Sequence, residues 1–308
     1  MSKKIIIDCD PGHDDAMAII LAASGVSDLQ IEAIATVAGN VGVEKNTKNA
    51  LRICDLAGLD DVPVAMGASR PLVREPFEAS DVHGESGLDG TGLPEEPVKR
   101  LAEGHAVDML IEKLMASDEK ITLAPIGPLT NIAMAIRKEP QIVTKIREIV
   151  LMGGGTYGNR TPVAEFNIYA DAEAAKIVFE CGAPITMFGL DLTHQALATP
   201  DILEALQAID NPVAAAVTDM VEFYAGAYKD NFAGAALHDP CPIAYLIDPS
   251  MVEFQPGVID VETHGEFTYG MTVADFKGRT NKKPNVQFAT RLNQEKFWEL
   301  FLEALRAY

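Results

Sequence analysis

The 308-residue chain has only four cysteines and one tryptophan, and its apolar runs are short. The cysteines include no CxxC pair, which argues against a disulfide framework or a zinc site and predicts buried free thiols in a reducing cytosol. No apolar run approaches the ~18–20 residues of a membrane helix. Only three apolar residues follow Ser2-Lys3-Lys4 before the first aspartate, so no signal peptide is predicted. We therefore expect a cytoplasmic protein that has no membrane partner.

Basic residues are also scarce, because 25 Lys and Arg face 45 Asp and Glu, for a net charge of −20. A surface this acidic argues against nucleic acid and anionic membranes as partners and suits a neutral or cationic substrate. Common phosphate-binding and hydrolase motifs give little support: GxxxxGK[ST] and GxSxG are missing, and the GxGxxG match at 153–158 follows a late predicted strand. The sequence therefore argues against dinucleotide-binding, P-loop and serine-hydrolase sites.

The apolar fraction is 48%, enough for a sizeable core. Strand-like and helix-like segments alternate along the chain, which predicts one α/β domain over residues 1–308, with a mostly parallel central sheet flanked by helices. Late strands at 258–261 and 268–273 would be antiparallel. The long segment 67–100 breaks the alternation and predicts a functional or mobile loop. Other strands are predicted at residues 5–7, 31–37, 63–66, 120–124, 148–152 and 185–190.

Helices are predicted where apolar residues recur with helical spacing. Pro128 would open the helix at 129–137, because proline is tolerated in the first turn. The helices are predicted at residues 14–23, 43–57, 105–116, 129–137, 171–180, 201–208, 213–228, 242–247 and 294–307.

Four carboxylates follow the first predicted strand within eight positions: Asp8, Asp10, Asp14 and Asp15. They would lie at the carboxyl end of a parallel strand, where open α/β sheets bind ligands. Carboxylates this close repel one another, and a bound cation relieves the repulsion. A helix cap explains one or two of these acids, so the cluster predicts a cation site. Asp-Cys-Asp is also typical of phosphatases with an aspartate nucleophile, which stays an alternative.

Two further polar groups are candidates for the same site. His238-Asp239-Pro240 offers another carboxylate and a titratable imidazole, although the same sequence suits a turn. Asn159, Glu165 and Asn167 offer the amide and carboxylate groups that bind sugar hydroxyls, although they also suit a surface loop.

Aromatic residues allow weaker predictions. His83 lies in a glycine-rich segment, where a lone histidine is more often structural or solvated than catalytic. Tyr224, Tyr228 and Phe232 have near-helical spacing and predict core or lid packing more readily than a clamp on a base. Trp298 lies in the C-terminal helix and predicts core packing.

Taken together, these motifs resemble the inosine–uridine preferring nucleoside hydrolases over nearly the whole chain. The most specific pair is the early acidic motif with the late His-Asp. The matching segments are DCDPGHDD at 8–15, VAGN at 37–40, HGESG at 83–87, PIGPLTN at 125–131, LMGGG at 151–155, PVAEFN at 162–167, GLDLT at 189–193 and HDP at 238–240.

The resemblance implies Ca²⁺-dependent cleavage of the N-glycosidic bond of ribonucleosides by water, through an oxocarbenium-like transition state. By similarity, Asp10, Asp15 and Asp239 give carboxylates to the ion, and Ile126 gives its backbone carbonyl. Asp10 would also take a proton from the ion's water. His238 would protonate the departing base.

The resemblance also implies the residues that hold the nucleoside, in three groups. Ligands of the ribose 2′- and 3′-hydroxyls would be Asp14 and Asn40, with Met152 beneath the sugar. The 5′ end would be held by Asn159, Glu165 and Asn167. At the base, Tyr228 would assist His238, and His83 would border the pocket.

Purine-specific relatives stack a tryptophan on the base, and this sequence has no tryptophan at the expected place. Its absence there favours a broad inosine/uridine or a pyrimidine preference. The resemblance further implies a homodimer or homotetramer and a part in nucleoside salvage. Two alternatives stay open beside it, the aspartate-nucleophile phosphatase and a non-catalytic protein that binds nucleosides or ribose.

Overall fold

A computed structural model describes residues 2–229 and 232–308, and a nine-stranded sheet organises them. The strand order is β10-β9-β11-β6-β5-β4-β1-β2-β3, and a separate two-stranded ribbon pairs β7 with β8. The strands are β1 Lys3–Cys9, β2 Leu29–Thr36, β3 Val64–Met66, β4 Ile121–Pro125, β5 Ile146–Met152, β6 Ile185–Phe188, β7 Leu197–Ala198, β8 Ala235–Ala236, β9 Val252–Val261, β10 Thr272–Asp275 and β11 Val286–Leu292.

Helices cover both faces of this sheet. Two 3₁₀ helices, Pro140–Lys145 and Pro249–Met251, accompany twelve α-helices in the described part of the chain. The α-helices are α1 His13–Ala23, α2 Val43–Ala57, α3 Ser80–His83, α4 Ala106–Ala116, α5 Thr130–Lys138, α6 Phe166–Ala170, α7 Ala172–Phe179, α8 Leu190–Thr193, α9 Pro200–Gln207, α10 Pro212–Tyr228, α11 Pro240–Ile247 and α12 Gln294–Arg306.

The central strand β1 divides the core into two layers. Ile5 and Ile7 pack in the cluster that holds α1, α2, α10, α11 and α12, whereas Ile6 packs in the cluster with α4, α5 and α7. Successive side chains of a strand point to opposite faces, so an unbroken apolar run needs cover on both sides. The predicted α/β class and mostly parallel sheet are confirmed, because seven neighbouring strands from β3 to β11 pair in parallel.

The late strands required the largest corrections. β9 begins at Val252, six residues before the predicted start, and β11 was not predicted at all. β9 and β10 pair antiparallel, as expected. Residue 190, predicted at the end of a strand, instead begins α8, and α5 begins at Thr130, so Pro128 precedes the helix and does not open it.

The cysteines, the tryptophan and the long segment 67–100 mostly follow the predictions made from the sequence. Cys9, Cys54 and Cys241 are buried free thiols, but Cys181 is only half-buried. Trp298 packs against Phe297 and Phe301, which confirms its core role. Residues 67–100 contain one short helix, α3, and no strand. Among the described residues, no helix combines the length and apolarity needed to cross a membrane.

Candidate active site

The carboxyl ends of neighbouring parallel strands surround a cavity of about 460 Å³. Asp10 follows β1, Ile126 follows β4, and Met152 ends β5, so three adjacent strands contribute to its floor. Asn40 reaches it from the loop after β2. This position is the expected ligand-binding edge of an open α/β sheet.

All but two of the predicted site residues line this cavity. The exceptions are Asp8 and Asp15, which lie behind the wall. The predicted residues that line it are Asp10, Asp14, Asn40, His83, Ile126, Met152, Asn159, Glu165, Asn167, Tyr228, His238 and Asp239. Tyr224 and Phe232, predicted as core or lid packing, also line it, as do Tyr157, Arg160, Phe166 and His194, for which the sequence analysis assigned no role.

Asp15 fixes the loop between β1 and α1. One carboxylate oxygen accepts a hydrogen bond from the Asp10 N–H (3.0 Å), and the other accepts from the Gly12 N–H (3.0 Å) and from Nδ2 of Asn40 (3.1 Å). The position in the first turn of α1 suits a carboxylate, because helix N-termini leave backbone N–H groups free. Asp15 therefore shapes the backbone that carries Asp10.

Asp10 sits in a niche that only glycine neighbours leave open. Its Oδ2 accepts a hydrogen bond from the Asn40 N–H at 2.8 Å. A Cβ atom at Gly39 would lie 2.0 Å from Oδ2, and one at Gly127 would lie 2.3 Å from Oδ1. Both glycines are thus required by close approach of the carboxylate, although neither has an unusual φ angle.

The acidic cluster is completed by a residue more than two hundred positions away in sequence. Carboxylate oxygens of Asp14, Asp15 and Asp239 lie within 4.8 Å of one another, and all three side chains are buried. Asp239 is brought there at the N-terminus of α11. The tightest triad thus contains Asp14, whereas the ligand set implied by resemblance contains Asp10.

Burial raises the pKa of every carboxyl in this cluster, and neighbouring carboxylate charges raise it further at Asp10, Asp14 and Asp239. Burial, followed by the neighbouring Asp15 charge, raises the pKa of Asp14 to about 8, and burial raises that of Asp15 to about 6. The pKa values of Asp10 and Asp239 rise well above their ordinary range, for the same reasons. In the described part of the chain, no salt bridge neutralises these groups.

This donor set fits a hard divalent cation. The groups are buried oxygens with net negative charge, which are the ligands that Ca²⁺ and Mg²⁺ prefer. One layer behind them, Oδ1 of Asp8 accepts from Nδ2 of Asn131 (2.8 Å), while Oδ2 of Asp8 has no partner among the described residues. Burial raises the pKa of Asp8 to about 7. A positive charge in the cluster would relieve each of these costs.

Asn167 and Glu165 connect the strand ends to α6. Nδ2 of Asn167 donates to the Ile126 carbonyl (2.8 Å) and approaches the Met152 carbonyl (3.3 Å). Glu165 caps α6 by accepting from the Asn167 N–H (2.9 Å), and its other oxygen accepts from the Gly154 N–H (2.8 Å). Burial raises the pKa of Glu165 to about 7. These contacts hold polar groups rigidly along one wall.

A buried chain of hydroxyl groups surrounds His238. Its Nε2 lies 2.6 Å from the Tyr228 hydroxyl, and its Nδ1 lies 2.7 Å from the Thr193 hydroxyl. The Tyr228 and Tyr224 hydroxyls lie 3.0 Å apart. Burial lowers the pKa of His238 to about 3, so the imidazole is neutral near pH 7.

His83 packs in an aromatic stack on the cavity wall. Its ring lies 5.2 Å from the Tyr224 ring and 5.5 Å from the His13 ring, and its Nδ1 accepts from the His13 N–H at 3.2 Å. A Cβ atom at Gly12 would lie 2.5 Å from that nitrogen. His83 is therefore buried against the acidic loop, which the glycine-rich composition around it did not indicate.

The mouth of the cavity is bordered by two loops that touch. Arg160, in the loop between β5 and α6, lies 3.3 Å from the carboxylate of Asp81 and stacks over the Phe77 ring at 4.1 Å. The other loop is the long segment 67–100. Tyr157 and Arg160 lie in the loop after β5, and His194 follows α8, which comes after β6. Their location on connections beyond strand ends was the available sequence signal.

Three comparisons relate this chain to known proteins. The family model described as "Inosine-uridine preferring nucleoside hydrolase" matches residues 5–299. The inosine-uridine preferring nucleoside hydrolase of Crithidia fasciculata is 48% identical over 99% of this chain and 98% of its own length. The pyrimidine-specific ribonucleoside hydrolase RihA of Shewanella sp. (strain MR-7) is 47% identical over 100% of this chain and 98% of its own.

Solved structures agree in fold. The plant nucleoside hydrolase PpNRh1 superposes with a TM-score of 0.93 at 34% identity and covers 100% of both chains. A purine-preferring ribonucleoside hydrolase from Gardnerella vaginalis gives a TM-score of 0.91 at 33% identity, over 99% of this chain and 98% of its own. The similarity therefore spans the whole chain in sequence and in fold.

Proposed function

The chain belongs to the inosine-uridine preferring nucleoside hydrolase family, and from this premise we propose that it cleaves uridine, cytidine and inosine to ribose and free base. It is an N-glycosidase by family membership. The names of its relatives support either a broad inosine–uridine or a pyrimidine preference. The observation that carries the proposal is the cluster of buried carboxylates, without an ion pair in the described residues, at the floor of a cavity lined by amides and imidazoles.

We assign Ca²⁺ as the cation of this site. The family is metal-dependent in general, and the buried all-oxygen cluster fits a hard divalent ion. Asp10, Asp15 and Asp239 would hold it, together with the backbone carbonyl of Ile126, whose second lone pair is left by the Asn167 contact. When bound, such an ion lowers the pKa of a water that it ligates and orients hydroxyl groups of the substrate.

Asp10 is the proposed general base. Its Oδ2 is held by the Asn40 N–H, and both oxygens lie in the niche left by Gly39 and Gly127. The carboxylate accepts a proton from the attacking water as the water approaches the anomeric carbon. A fixed base of this kind contributes typically ~10²–10⁴-fold to a rate.

Asp14 and Asn40 are the proposed ligands of the ribose 2′- and 3′-hydroxyls. Nδ2 of Asn40 already donates to the Asp10 carbonyl (3.0 Å) and to Asp15 (3.1 Å), so its Oδ1 is the atom left for a hydroxyl. The negative charge of Asp14 favours the positive charge that develops on the ribose ring in the transition state.

The far end of the ribose is assigned to the wall built on α6. Asn159, Glu165 and Asn167 would hold the 5′-hydroxyl, and Met152 would lie beneath the sugar. These side chains are fixed by their own hydrogen bonds to backbone groups, for example from the Phe166 N–H to Oδ1 of Asn159 at 3.0 Å. Such positioning lowers the entropic cost of reaching the transition state.

His238 is the proposed acid for the leaving base. Its Nε2 lies in hydrogen-bond contact with the Tyr228 hydroxyl, and this pair gives one proton to the departing base while the Tyr224 hydroxyl supports Tyr228. The proton that Asp10 takes from the water returns to the pair through solvent, so both groups are restored. His83 would also border the base.

A reducing-sugar assay tests this function. We expect ribose release from uridine and inosine, loss of that activity with EGTA, and recovery on addition of Ca²⁺. Release of phosphate from p-nitrophenyl phosphate without ribose release would instead favour an aspartate-nucleophile phosphatase. Tight uridine binding without ribose release would favour a binding protein.

Two further expectations concern the whole protein. A homodimer or homotetramer is proposed from the family resemblance, and light scattering on the purified protein tests it. A cytoplasmic location is proposed because the cysteines are free thiols, which suits a reducing compartment. Fractionation of cells with an antibody against the protein tests that location.

A further inference from the structure

His194 has a defined environment on the cavity wall and no role in the proposed mechanism. Its ring stacks on Tyr157 with centroids 5.7 Å apart and also contacts Phe232, at 4.6 Å. It meets His238 edge to face, with centroids 5.3 Å apart. The ring lines the cavity next to the group that we assign to the leaving base.

The hydrogen bonds of Tyr157 fix which nitrogen of His194 carries hydrogen. The Tyr157 hydroxyl lies 3.1 Å from the Leu190 carbonyl, which can only accept, so the hydroxyl hydrogen points there. The same hydroxyl oxygen lies 2.8 Å from Nδ1 of His194 and is left to accept. Nδ1 of His194 must therefore carry a hydrogen.

Nε2 of His194 is consequently a bare acceptor. Burial lowers the pKa of His194, opposed by the nearby Asp191, whose carboxylate is occupied by the Thr156 N–H at 2.8 Å. A neutral ring with hydrogen on Nδ1 has a lone pair on Nε2. In the described residues no group forms a hydrogen bond with this nitrogen, and it is not a buried unsatisfied atom.

We infer that His194 is a specificity-determining residue whose Nε2 accepts a hydrogen bond from N3–H of uracil. This inference rests on the proposed function, in which His238 protonates the leaving base. In a pyrimidine, the exocyclic O2 that receives the proton is adjacent to N3. The His194 and His238 rings lie in edge contact, with centroids 5.3 Å apart, so a base bound at His238 also lies near His194.

The same acceptor disfavours other bases. Cytosine has a lone pair at N3, which would face the lone pair of Nε2. In hypoxanthine, protonation at N7 brings the neighbouring carbonyl oxygen of C6, also an acceptor, toward His194. The acceptor forms a hydrogen bond with uracil but faces another acceptor in cytosine or hypoxanthine. The hydrogen bond that cannot form lowers the affinity for those two bases. Uridine should thus be preferred over cytidine and inosine.

Steady-state kinetics of the Ca²⁺-loaded wild type with uridine, cytidine and 3-methyluridine test the inference directly. 3-Methyluridine keeps the uracil carbonyls but lacks N3–H. We expect kcat/KM for uridine to exceed each of the others by about tenfold, the value of one neutral hydrogen bond. Equal values for uridine and 3-methyluridine would overturn the inference.

Variants then assign the preference to this residue. His194→Phe keeps an aromatic ring against Tyr157 and removes the nitrogen, so the uridine preference should fall to within about twofold. His264→Phe, the same change at an exposed histidine outside the cavity, should keep the wild-type ratios. An unchanged preference in His194→Phe would overturn the inference, even if overall activity fell.

Tyr157→Phe tests the hydrogen-bond argument independently of His194 itself. Loss of the hydroxyl removes the partner that keeps hydrogen on Nδ1, so the uridine preference should fall in part, and ¹⁵N spectra of the imidazole should show the second tautomer. Wild-type spectra with hydrogen on Nε2 would contradict the inference. Absence of ribose release from all three substrates would overturn the proposed function and this inference with it.

Discussion

Asp10 is proposed both as a ligand of the cation and as the general base. Its hydrogen bonds allow a variant that loses these roles while the fold is kept. Replacing Asp10 with Asn keeps the volume and an acceptor for the Asn40 N–H, so the loop that Asp15 holds should keep its shape. The amide lacks both the negative charge and the basicity. We predict that Asp10→Asn lowers kcat for uridine by ~10²-fold or more.

The measurement is steady-state ribose release in saturating Ca²⁺, with thermal unfolding as the check on folding. Asp118→Asn, a change of the same kind at an exposed carboxylate outside the cavity, is the matched control for loss of charge. Turnover within a few-fold of the wild type in Asp10→Asn would reject Asp10 as the base.

His238 should matter only where the leaving group needs a proton. We predict that His238→Ala lowers kcat/KM for inosine and uridine by ~10²–10⁴-fold, the usual contribution of a general acid. The loss with p-nitrophenyl riboside should be much smaller, because p-nitrophenolate leaves without protonation. Kinetics with the three substrates measure this difference, and equal losses on all of them would contradict an acid role.

The residue types of the site were predictable, and their supporting contacts were not. Four acids beside an apolar strand indicated a cation site from the chain alone, and His238-Asp239 offered one more carboxylate. The resemblance added Ile126 and named Asp239 as a ligand. The pattern did not indicate that Asp15 would serve the backbone of Asp10, or that Tyr157 would fix His194. Such contacts depend on side-chain directions across loops, which spacing in sequence does not encode.

At the level of elements, local patterns located most helices and strands to within about two residues. β11 was missed although Val286, Phe288 and Leu292 are buried at strand-like positions with exposed residues between them. Its neighbours hid the signal, because Lys282, Lys283 and Pro284 resemble a loop. Its central position between β6 and β9 is a long-range property, since pairing selects partners from the whole chain.

Two loops meet over the cavity through Arg160 and Asp81. Their ion pair is half-exposed, with 27% and 63% of the side chains accessible, so it should contribute under about 1 kcal/mol to stability. Because the ion pair links the β5–α6 loop to the 67–100 segment, we expect it to affect substrate binding more than stability. We predict that Arg160→Met raises KM for uridine a few-fold while kcat changes little.

A double-mutant cycle with Asp81→Asn measures the coupling in KM and in the free energy of unfolding. The exposed pair of Lys48 and Glu96, whose charged atoms lie 2.8 Å apart outside the cavity, is the matched control. Coupling in KM at Arg160–Asp81 with none at Lys48–Glu96 is expected. Additive effects on KM at the first pair would contradict a contact that orders the loops.

At the level of the whole molecule, two sets of buried groups make stability depend on pH in opposite directions. His238 is neutral when folded, with a pKa of about 3 against an ordinary 6.5, so it makes stability rise with pH up to about 6.5. Asp14 binds a proton more tightly when folded, with a pKa of about 8 against 3.8, so it makes stability fall as pH rises toward 8. Between pH 6.5 and 8 the contribution of Asp14 falls while that of His238 is almost constant.

The metal-free protein should therefore melt at a lower temperature at pH 8 than at pH 6.5. Ca²⁺ binds the deprotonated carboxylates, so the rise in Tm that it produces should be larger at pH 8, where fewer protons must be displaced. Calorimetry in EGTA and in excess Ca²⁺ at the two pH values measures both trends. Asp239→Asn should reduce the calcium-induced rise, because one carboxylate of the buried triad is lost. An equal rise at both pH values would mean that the ion binds elsewhere, since a surface site does not compete with these buried protons.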